Sequence, residues 1–574
     1  MPNTHTTLTS LFSDIADAIR NKTGSSADIV ADNFPTEIDA IPTGVTPAEF
    51  NDVNFYDYDG TILYSYTAAE ALALTELPAN PSHTGLTAQG WNWSLTEMQT
   101  QVRSCGMCDV GQMYVTDDGK TRLYIKIEYP EDLEVHVTWY QSVANGVVID
   151  WGDGSATETF AGTTIADGTC VHTYAALGEY MITMTPASSS VQIRLGNNEV
   201  SCGLMGSFVS DSTSATYGHT TSQKVLRKVE CGANVYRLNN YALTMCTNLQ
   251  TVTIPNTLDR LNNSSVFWIC TNLVGIVVPR NPSITAAASA TLPSQYAAYA
   301  SSLKFISISP TVQATAGYTT TYASNLKRLI YPYTCTGMSA SSTQVALFYE
   351  MRSVRQIILD NWVGIGPGTN LCNECRSLVE LNIPEDAAMT VSSNTQFGTA
   401  FQYCMSLRKV WLPSATQYIS VNAFRCCGSM EELHVRATTP PTITSTTFST
   451  MSTDCKIYVP SSRAPIFDLA TLTLGAAVRS QLVSGTNEIY FEVLDGAVSI
   501  TINGTTTAGI DPSTYGLTFS SAQNYDRVYI DIEYDGSAIT SYSTPVGVNA
   551  TILNAYASAT NWTTYASQLR IEGT

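Results

Sequence analysis

The chain has 574 residues, 44% of them hydrophobic and only 13% charged, with 48 acidic against 28 basic residues for a formal charge of −20. At roughly 100–200 residues per domain, this length implies several cores rather than one. No basic run offsets the acidity, so a phosphate backbone would be repelled and nucleic acid is set aside as a partner.

The opening "MPNTHTTLTSLFSDIADAIRNKTG" lacks a basic n-region followed by an apolar h-region. No stretch nears the roughly 18 apolar residues of a membrane span, so no membrane insertion is expected. The expectation is synthesis and assembly in the cytosol, with the 14 cysteines as free thiols. Within residues 1–44, Leu8, Leu11, Phe12, Ile15 and Ile19 form one helical stripe. A stripe on so short a helix needs a partner to bury it, which points to docking or oligomerisation. The stretch "LTSLFSDIADAIRNKTGSSADIVADNFPTEIDAI" resembles N-terminal segments of tail and other virion proteins from phages of gut Firmicutes.

Residues 50–115 follow with an alternating strand, an Asp-Gly turn, a helix-like stretch and a Pro-rich turn into "GWNW". This order is similar to the internalin B-type repeat, which implies a small β-grasp module. "DYDGT" also matches the nucleophile motif of haloacid-dehalogenase-type phosphatases. Such an enzyme needs an apolar strand into the first Asp and a doubly wound sheet; "VNFY" is amphipathic and no strand-helix alternation follows. Asp57 therefore reads as a turn residue.

In residues 120–200, "VVIDWGDGS", the later "HTY" and "GEY" resemble the polycystic-kidney-disease-type immunoglobulin-like fold, implying a β-sandwich with Trp151 and Tyr174 in its core. Asp150 and Asp153 fall short of the 6–8 oxygens calcium prefers, and read instead as turn-stabilising carboxylates.

Residues 221–465 carry the strongest periodicity. "CTNLQTVTIP" is followed by "CTNLVGIVVP", and anchors recur at Leu226, Leu249, Leu273, Leu303, Leu326, Val354, Leu378, Leu407 and Met430. Such a period is that of a leucine-rich solenoid with one short strand per coil. Three residues before the anchor stand Cys246, Cys270, Cys375, Cys404 and Cys427, read as rungs of a buried ladder because Cys is a compact hydrophobe. Six before it come Leu243, Phe267, Phe348, Cys372, Phe401 and Phe424, a second column. "NAFRCCGSMEELHV" resembles the class of leucine-rich repeat found in bacterial and treponemal surface antigens; the copies from Leu303 to Val354 depart from it. Residues 485–574 read as a separate C-terminal β module, with "ATNWTTYASQL" as a closing helix.

The expected fold is mainly β and multidomain: a short N-terminal helical segment, a β-grasp module, an immunoglobulin-like sandwich, a leucine-rich-repeat solenoid and a C-terminal β module. Six histidines are scattered, and the pairs Cys105/Cys108 and Cys372/Cys375 are each short of the four ligands of a zinc site, so neither cofactor nor catalytic set is expected. Adhesion remains, through strand residues between the buried ones: Arg328, Glu380, Asn382, Lys409, Trp411 and His434, with Trp411 preferred because sugar rings stack on aromatic faces. The expectation is a non-enzymatic phage virion protein of the tail, baseplate or head-fibre type, on the particle surface. It would be homo-oligomeric, joined to other virion proteins by its N-terminal segment, and would bind host-surface glycan or protein. Two alternatives stand beside it: a bacterial cell-surface leucine-rich-repeat adhesin, and a glycan-active enzyme with binding modules.

Overall fold

The computed structural model describes most of residues 52–460 and 551–571, apart from short stretches such as 197–201, 211–216, 340–347, 361–369 and 391–395. Between 462 and 549 it describes the backbone of the strands. Leu8, Leu11, Phe12, Ile15 and Ile19 lie outside the described residues. The chain is mainly β, as its alternating patterns predict.

Strands β1 (Val53–Tyr56) and β2 (Ile62–Tyr66) form an antiparallel hairpin. Its turn is held by Asp57, which accepts from the Tyr58 amide at 2.8 Å and meets His83 at 2.7 Å, and by Asp59, which accepts from Thr61. Here "DYDGT" joins two antiparallel strands rather than a strand to a helix. Helix α1 (Ala68–Ala73), strand β3 (Leu86–Trp91), helix α2 (Leu95–Cys105) and strand β4 (Cys108–Thr116) complete the module. Both helices begin with a capping box, Thr67 with Glu70 and Ser94 with Glu97. The sheet order is β2-β1-β4-β3, with the central pair parallel.

The next region does not hang on the solenoid as a bead. Strand β5 (Thr121–Ile127) pairs on one side with Gly178–Pro186 and on the other with Leu226–Glu230, the first solenoid strand. In a second sheet, Ile193–Leu195 pairs with Trp139–Gln141 and with Val235–Leu238 of the solenoid. Both sheets thus run into the repeats, and one hydrophobic core extends from Leu123 to Leu569. The sandwich caps the solenoid, covering an end that would otherwise expose apolar surface. Within it Trp151 and Tyr174 are buried, as expected, and the Tyr174 hydroxyl donates to the Trp151 carbonyl at 2.8 Å. Asp150 accepts from the Gly152 amide, while Asp153 accepts from the Ser155 amide and meets His172 at 2.7 Å.

Every anchor of the solenoid is buried, and the column six residues earlier is buried with it. Four residues before the anchors, Met245, Ile269, Tyr299, Tyr322, Glu350, Glu374, Tyr403 and Cys426 all have positive φ. Such a backbone is costly for bulky side chains. Its compensation is a bond between coils: the amides of these residues donate to Trp268, Ala298, Thr321, Tyr349, Asn373, Gln402, Arg425 and Ser449 in the following coil. The cysteine rungs are more than compact hydrophobes. The thiols of Cys270, Cys375, Cys404 and Cys427 donate to the carbonyls of Leu243, Phe348, Cys372 and Phe401 in the preceding coil at 2.8–3.1 Å.

At the far end the expected boundary shifts. The strand Leu569–Ile571 pairs in parallel with Lys456–Val459, and Tyr556 and Trp562 are buried in the solenoid core. The Tyr556 hydroxyl and the Trp562 indole donate to the Ala437 and Pro441 carbonyls at 2.7 Å. Residues 551–571 therefore close the solenoid. The eight-stranded sheet between Ser462 and Asn549 is inserted ahead of its last strand, so residues 485–574 do not form one terminal module.

Candidate functional site

The strands of successive coils make one face of the solenoid, and the first module lies on part of it. At the contact, the Asn92 side chain donates to the Val278 carbonyl at 2.9 Å and to the Ser307 hydroxyl at 2.9 Å, while accepting from the Gly111 amide at 2.7 Å. The Ser307 hydroxyl donates to the Asp109 carbonyl at 2.7 Å. Gly111 is needed for close approach, since a Cβ there would lie 2.7 Å from both methyls of Val277. Tyr56 stacks on Phe305 with centroids 4.5 Å apart, and Glu97 pairs with Arg280 at 2.9 Å. The Gln101 side chain bridges the Tyr331 carbonyl and the Tyr333 amide.

Arg328 belongs to this contact, which corrects its expected place on a ligand face. Its guanidinium is 3% exposed and forms a bidentate pair with the equally buried Asp109. The alternation of its strand had placed it outward, and outward here means under the module. Ser307 is buried for the same reason.

The remaining expected residues come together on an open sheet running Arg328–Ile330, Gln356–Ile358, Glu380–Asn382, Lys409–Leu412, Glu432–Val435 and Lys456–Val459. In register, Glu380 faces Lys409, Lys409 faces Glu432 and Glu432 faces Lys456. Opposite charges on adjacent strands favour this pairing, and Lys409 reaches Glu432 at 3.1 Å. Burial alone would raise the Glu432 carboxyl, but hydrogen bonds from Lys409 and His434 hold it below the usual range.

The second row is Asn382, Trp411, His434 and Tyr458. Trp411 stacks on His434 at 4.6 Å and His434 on Tyr458 at 4.7 Å, with planes within 15°. His434 is consequently buried and offers no free face. The ladder spends ring faces on its own stacking, which narrows the sugar-stacking role expected of Trp411. Beside it a hollow of about 580 Å³ is lined by Ser104, Cys105 and Met107 at the end of α2 and by Glu380, Asn382 and Arg436. Arg436 donates to the Ile383 carbonyl at 2.7 Å and to Asn382 at 3.2 Å. Sequence reasoning missed Tyr458, Arg436 and the α2 end; Tyr458 could have been found by continuing the strand register into "CKIYVP".

The arrangement offers mixed charge, ring edges and amide groups on a rigid surface, which suits binding. Among the described residues, no cluster of His, Cys, Asp or Glu is placed to hold a metal, and no helix is long and apolar enough to cross a membrane. Residues 216–290 and 368–470 match the model of the BspA type leucine-rich repeat region, in six copies. These two stretches of the solenoid are BspA-type repeats. The match leaves out the coils at Leu303, Leu326 and Val354, although these anchors are buried like the others.

No curated protein matches the chain. Among solved structures, it is similar to a leucine-rich repeat protein from Bacteroides ovatus, at 16% identity over 41% of this chain and 66% of that one, with a TM-score of 0.25. It is also similar to a leucine-rich repeat protein from Eubacterium ventriosum, at 16% identity over 38% and 57%, TM-score 0.25. A third is a leucine rich cell surface protein from Faecalibacterium prausnitzii, at 14% over 48% and 90%, TM-score 0.23. The chain spans less than two thirds of the length of the first two.

Proposed function

We propose that this chain is a non-enzymatic adhesion protein that binds a surface polymer or protein through the open strand face around Trp411, Lys409, Glu380 and Asn382. The observation that carries the reading is the contrast along one face: the module buries its first part, and the sheet from Gln356 to Tyr458 is left with a continuous set of polar and aromatic side chains. Solenoids use such extended faces for partners. The repeat type favours display on a bacterial cell surface over the virion role expected from the sequence. The virion reading keeps one observation of its own, the likeness of residues 8–41 to virion N-termini. In that reading the segment joins neighbouring subunits and makes the chain an oligomer.

The test is binding of the purified full chain to arrayed host-surface glycans and proteins and to intact cells. Trp411→Ala combined with Lys409→Glu should abolish binding, while Arg376→Gln on the opposite side of the anchor turn should not. Hydrolysis of an arrayed glycan by the chain would sink the non-enzymatic reading. Antibody labelling of cells and of phage particles separates the two locations.

A further inference from the structure

Each coil enters its anchor through a residue of positive φ, and this sets two rows of side chains along the turns rather than the strands. Four residues before the anchors the first row reads Tyr299, Tyr322 and Glu350; two before them the second reads Ser301, Ser324 and Arg352. Both rows line an open hollow of about 290 Å³. The turn does not demand tyrosine. With the same sign of φ other coils place Met245, Glu374 or Cys426 there, and two tyrosines in succession occur only in the coils that the repeat family leaves unmatched.

The rings are held in place. Tyr299 stacks on Tyr322 with centroids 4.1 Å and planes 12° apart, and Tyr322 meets Tyr349 edge-on at 5.2 Å. Tyr299 is the accessible member: it is 39% exposed and stacks on no other ring among the described residues. Burial and the hydrogen bond between the two phenols raise the Tyr322 hydroxyl above its usual range, so it stays protonated. The Ser301 and Ser324 hydroxyls donate to the Thr271 and Ser301 carbonyls of the preceding coils at 3.3 and 3.4 Å, which leaves their oxygens as acceptors. Arg352 donates to Glu350 at 2.7 Å and to Glu374 at 3.3 Å, and Arg376 to Glu374 at 2.9 Å. Two cations answer two carboxylates, so the hollow has no surplus of either sign.

These groups suit a ligand that donates hydrogen bonds, offers C–H surface and carries no charge. The serine oxygens and the Glu350 carboxylate accept, and the Tyr299 ring packs on C–H groups. A neutral sugar ring supplies both. An anion would face Glu350 and Glu374 with Arg352 already engaged, and an apolar ring would cover the polar groups without returning their hydrogen bonds. The volume, at the lower edge of small-molecule pockets, takes one ring. We propose that this hollow binds a single neutral sugar ring of a glycan, with Tyr299 against its C–H face and Ser301, Ser324 and Glu350 accepting from its hydroxyls. An open hollow of this size should hold one ring weakly, with Kd on the order of 1 mM.

The experiment is saturation-transfer NMR on the full chain with the methyl glycosides of glucose, galactose, mannose and N-acetylglucosamine, and of glucuronic and galacturonic acid. At least one neutral glycoside should show transfer to its ring protons, and neither acid should bind as tightly. Tyr299→Ala, at an exposed position, should weaken binding about fivefold or more with an unchanged unfolding midpoint, whereas Tyr299→Phe, which keeps the ring, should retain most of it. Trp411→Ala should leave it intact, so this site and the open strand face can fail separately. In chain carrying carbon-labelled tyrosine, the Tyr299 ring resonance, assigned by its loss in Tyr299→Phe, should move on titration, a readout independent of how Tyr299→Ala folds. Absence of transfer to all four neutral glycosides, an acid bound as tightly as the best of them, indifference to Tyr299→Ala, an unmoved Tyr299 resonance, or loss of binding in Trp411→Ala would each overturn the proposal.

Discussion

One strand face serves two ends within the same solenoid. Between Gly275 and Arg328 its outward residues are small, apolar or internally paired, namely Gly275, Val277, Phe305, Ser307 and Arg328, and the module lies on them. Between Gln356 and Tyr458 the equivalent positions carry Glu380, Asn382, Lys409, Trp411, Glu432 and Lys456, which are exposed or half-buried, with the end of α2 bordering Glu380 and Asn382. Buried anchors and short parallel strands recur in both. What differs is whether each outward polar group has found a partner inside the chain: Asn92, Asp109, Ser307 and Arg328 have, whereas the open half pairs mostly with its own neighbours along the rows. A period builds the face, and the residues between the buried ones decide what occupies it.

The comparison breaks most sharply at Arg328. Arg328→Met leaves the Asp109 carboxylate buried without its cation, and removing one partner of a buried pair typically costs roughly 3–5 kcal/mol. Chemical unfolding should show that loss. Combining it with Asp109→Asn should recover part of it, because the burial penalty of the lone charge goes with the charge. No recovery would mean that the pair is not the electrostatic lock of the junction. Gly111→Val tests the same contact by shape. Its new Cβ would lie 2.7 Å from Val277, and overpacking of this kind costs about 1–3 kcal/mol. Protease cleavage between Thr116 and Thr121 should accelerate as the module lifts, while the unfolding of the repeats stays in place.

The repeats were legible because stacking is local and periodic: nine anchors, the cysteine rungs and the column at Phe401 and Phe424 can be read by offset alone. The docking of the module was not. It rests on contacts such as Asn92 with Ser307 and Asp109 with Arg328, more than 200 residues apart, and each of these residues alone looks like an ordinary surface side chain. The available signal was glycine inside strands, Gly111 in β4 and Gly275 in its coil, which marks a close approach of another chain segment. The sandwich as a cap was hidden similarly, since pairing of β5 with Leu226–Glu230 leaves no mark in either strand's alternation. Of the candidate site, Lys409, Trp411, Glu380 and Asn382 could be placed from the strand register; the His434 stack that consumes the ring faces could not, because ring orientation is decided by packing.

The cysteine ladder gives a smaller effect, common to both halves of the comparison. Cys404→Ala removes a buried thiol donor 3.0 Å from the Cys372 carbonyl, and should cost about 1 kcal/mol in unfolding measurements. Burial raises this thiol, as it does Cys246 and Cys270, so these rungs should resist alkylation in the native chain. None of the 14 cysteines is in a disulfide, and only Cys105 and Cys426 are partly exposed. A native titration should therefore find two fast thiols, and denaturation should release the rest. Rapid modification of Cys404 would show that the coils open readily.

The smallest effect belongs to the open half. Glu432 lies between Lys409 at 3.1 Å and the buried His434 at 3.2 Å, and Glu432 and Lys409 are themselves partly exposed, where water screens such a pair. Glu432→Gln should thus cost less than about 1 kcal/mol, well below the loss at Arg328. The sign with pH follows from its lowered carboxyl: the contribution is present above the unfolded value near 4.3 and fades as pH falls through the folded value below it. The consequence for binding should exceed that for stability. Once Glu432 is neutral, Lys409 and Lys456 meet a partner without the intervening negative charge, so an anionic partner should bind Glu432→Gln more tightly and a cationic one more weakly, chiefly through the association rate. If the variant instead loses as much stability as Arg328→Met, the open half is held as tightly as the covered one, and the division of the face into an occupied and an available part fails.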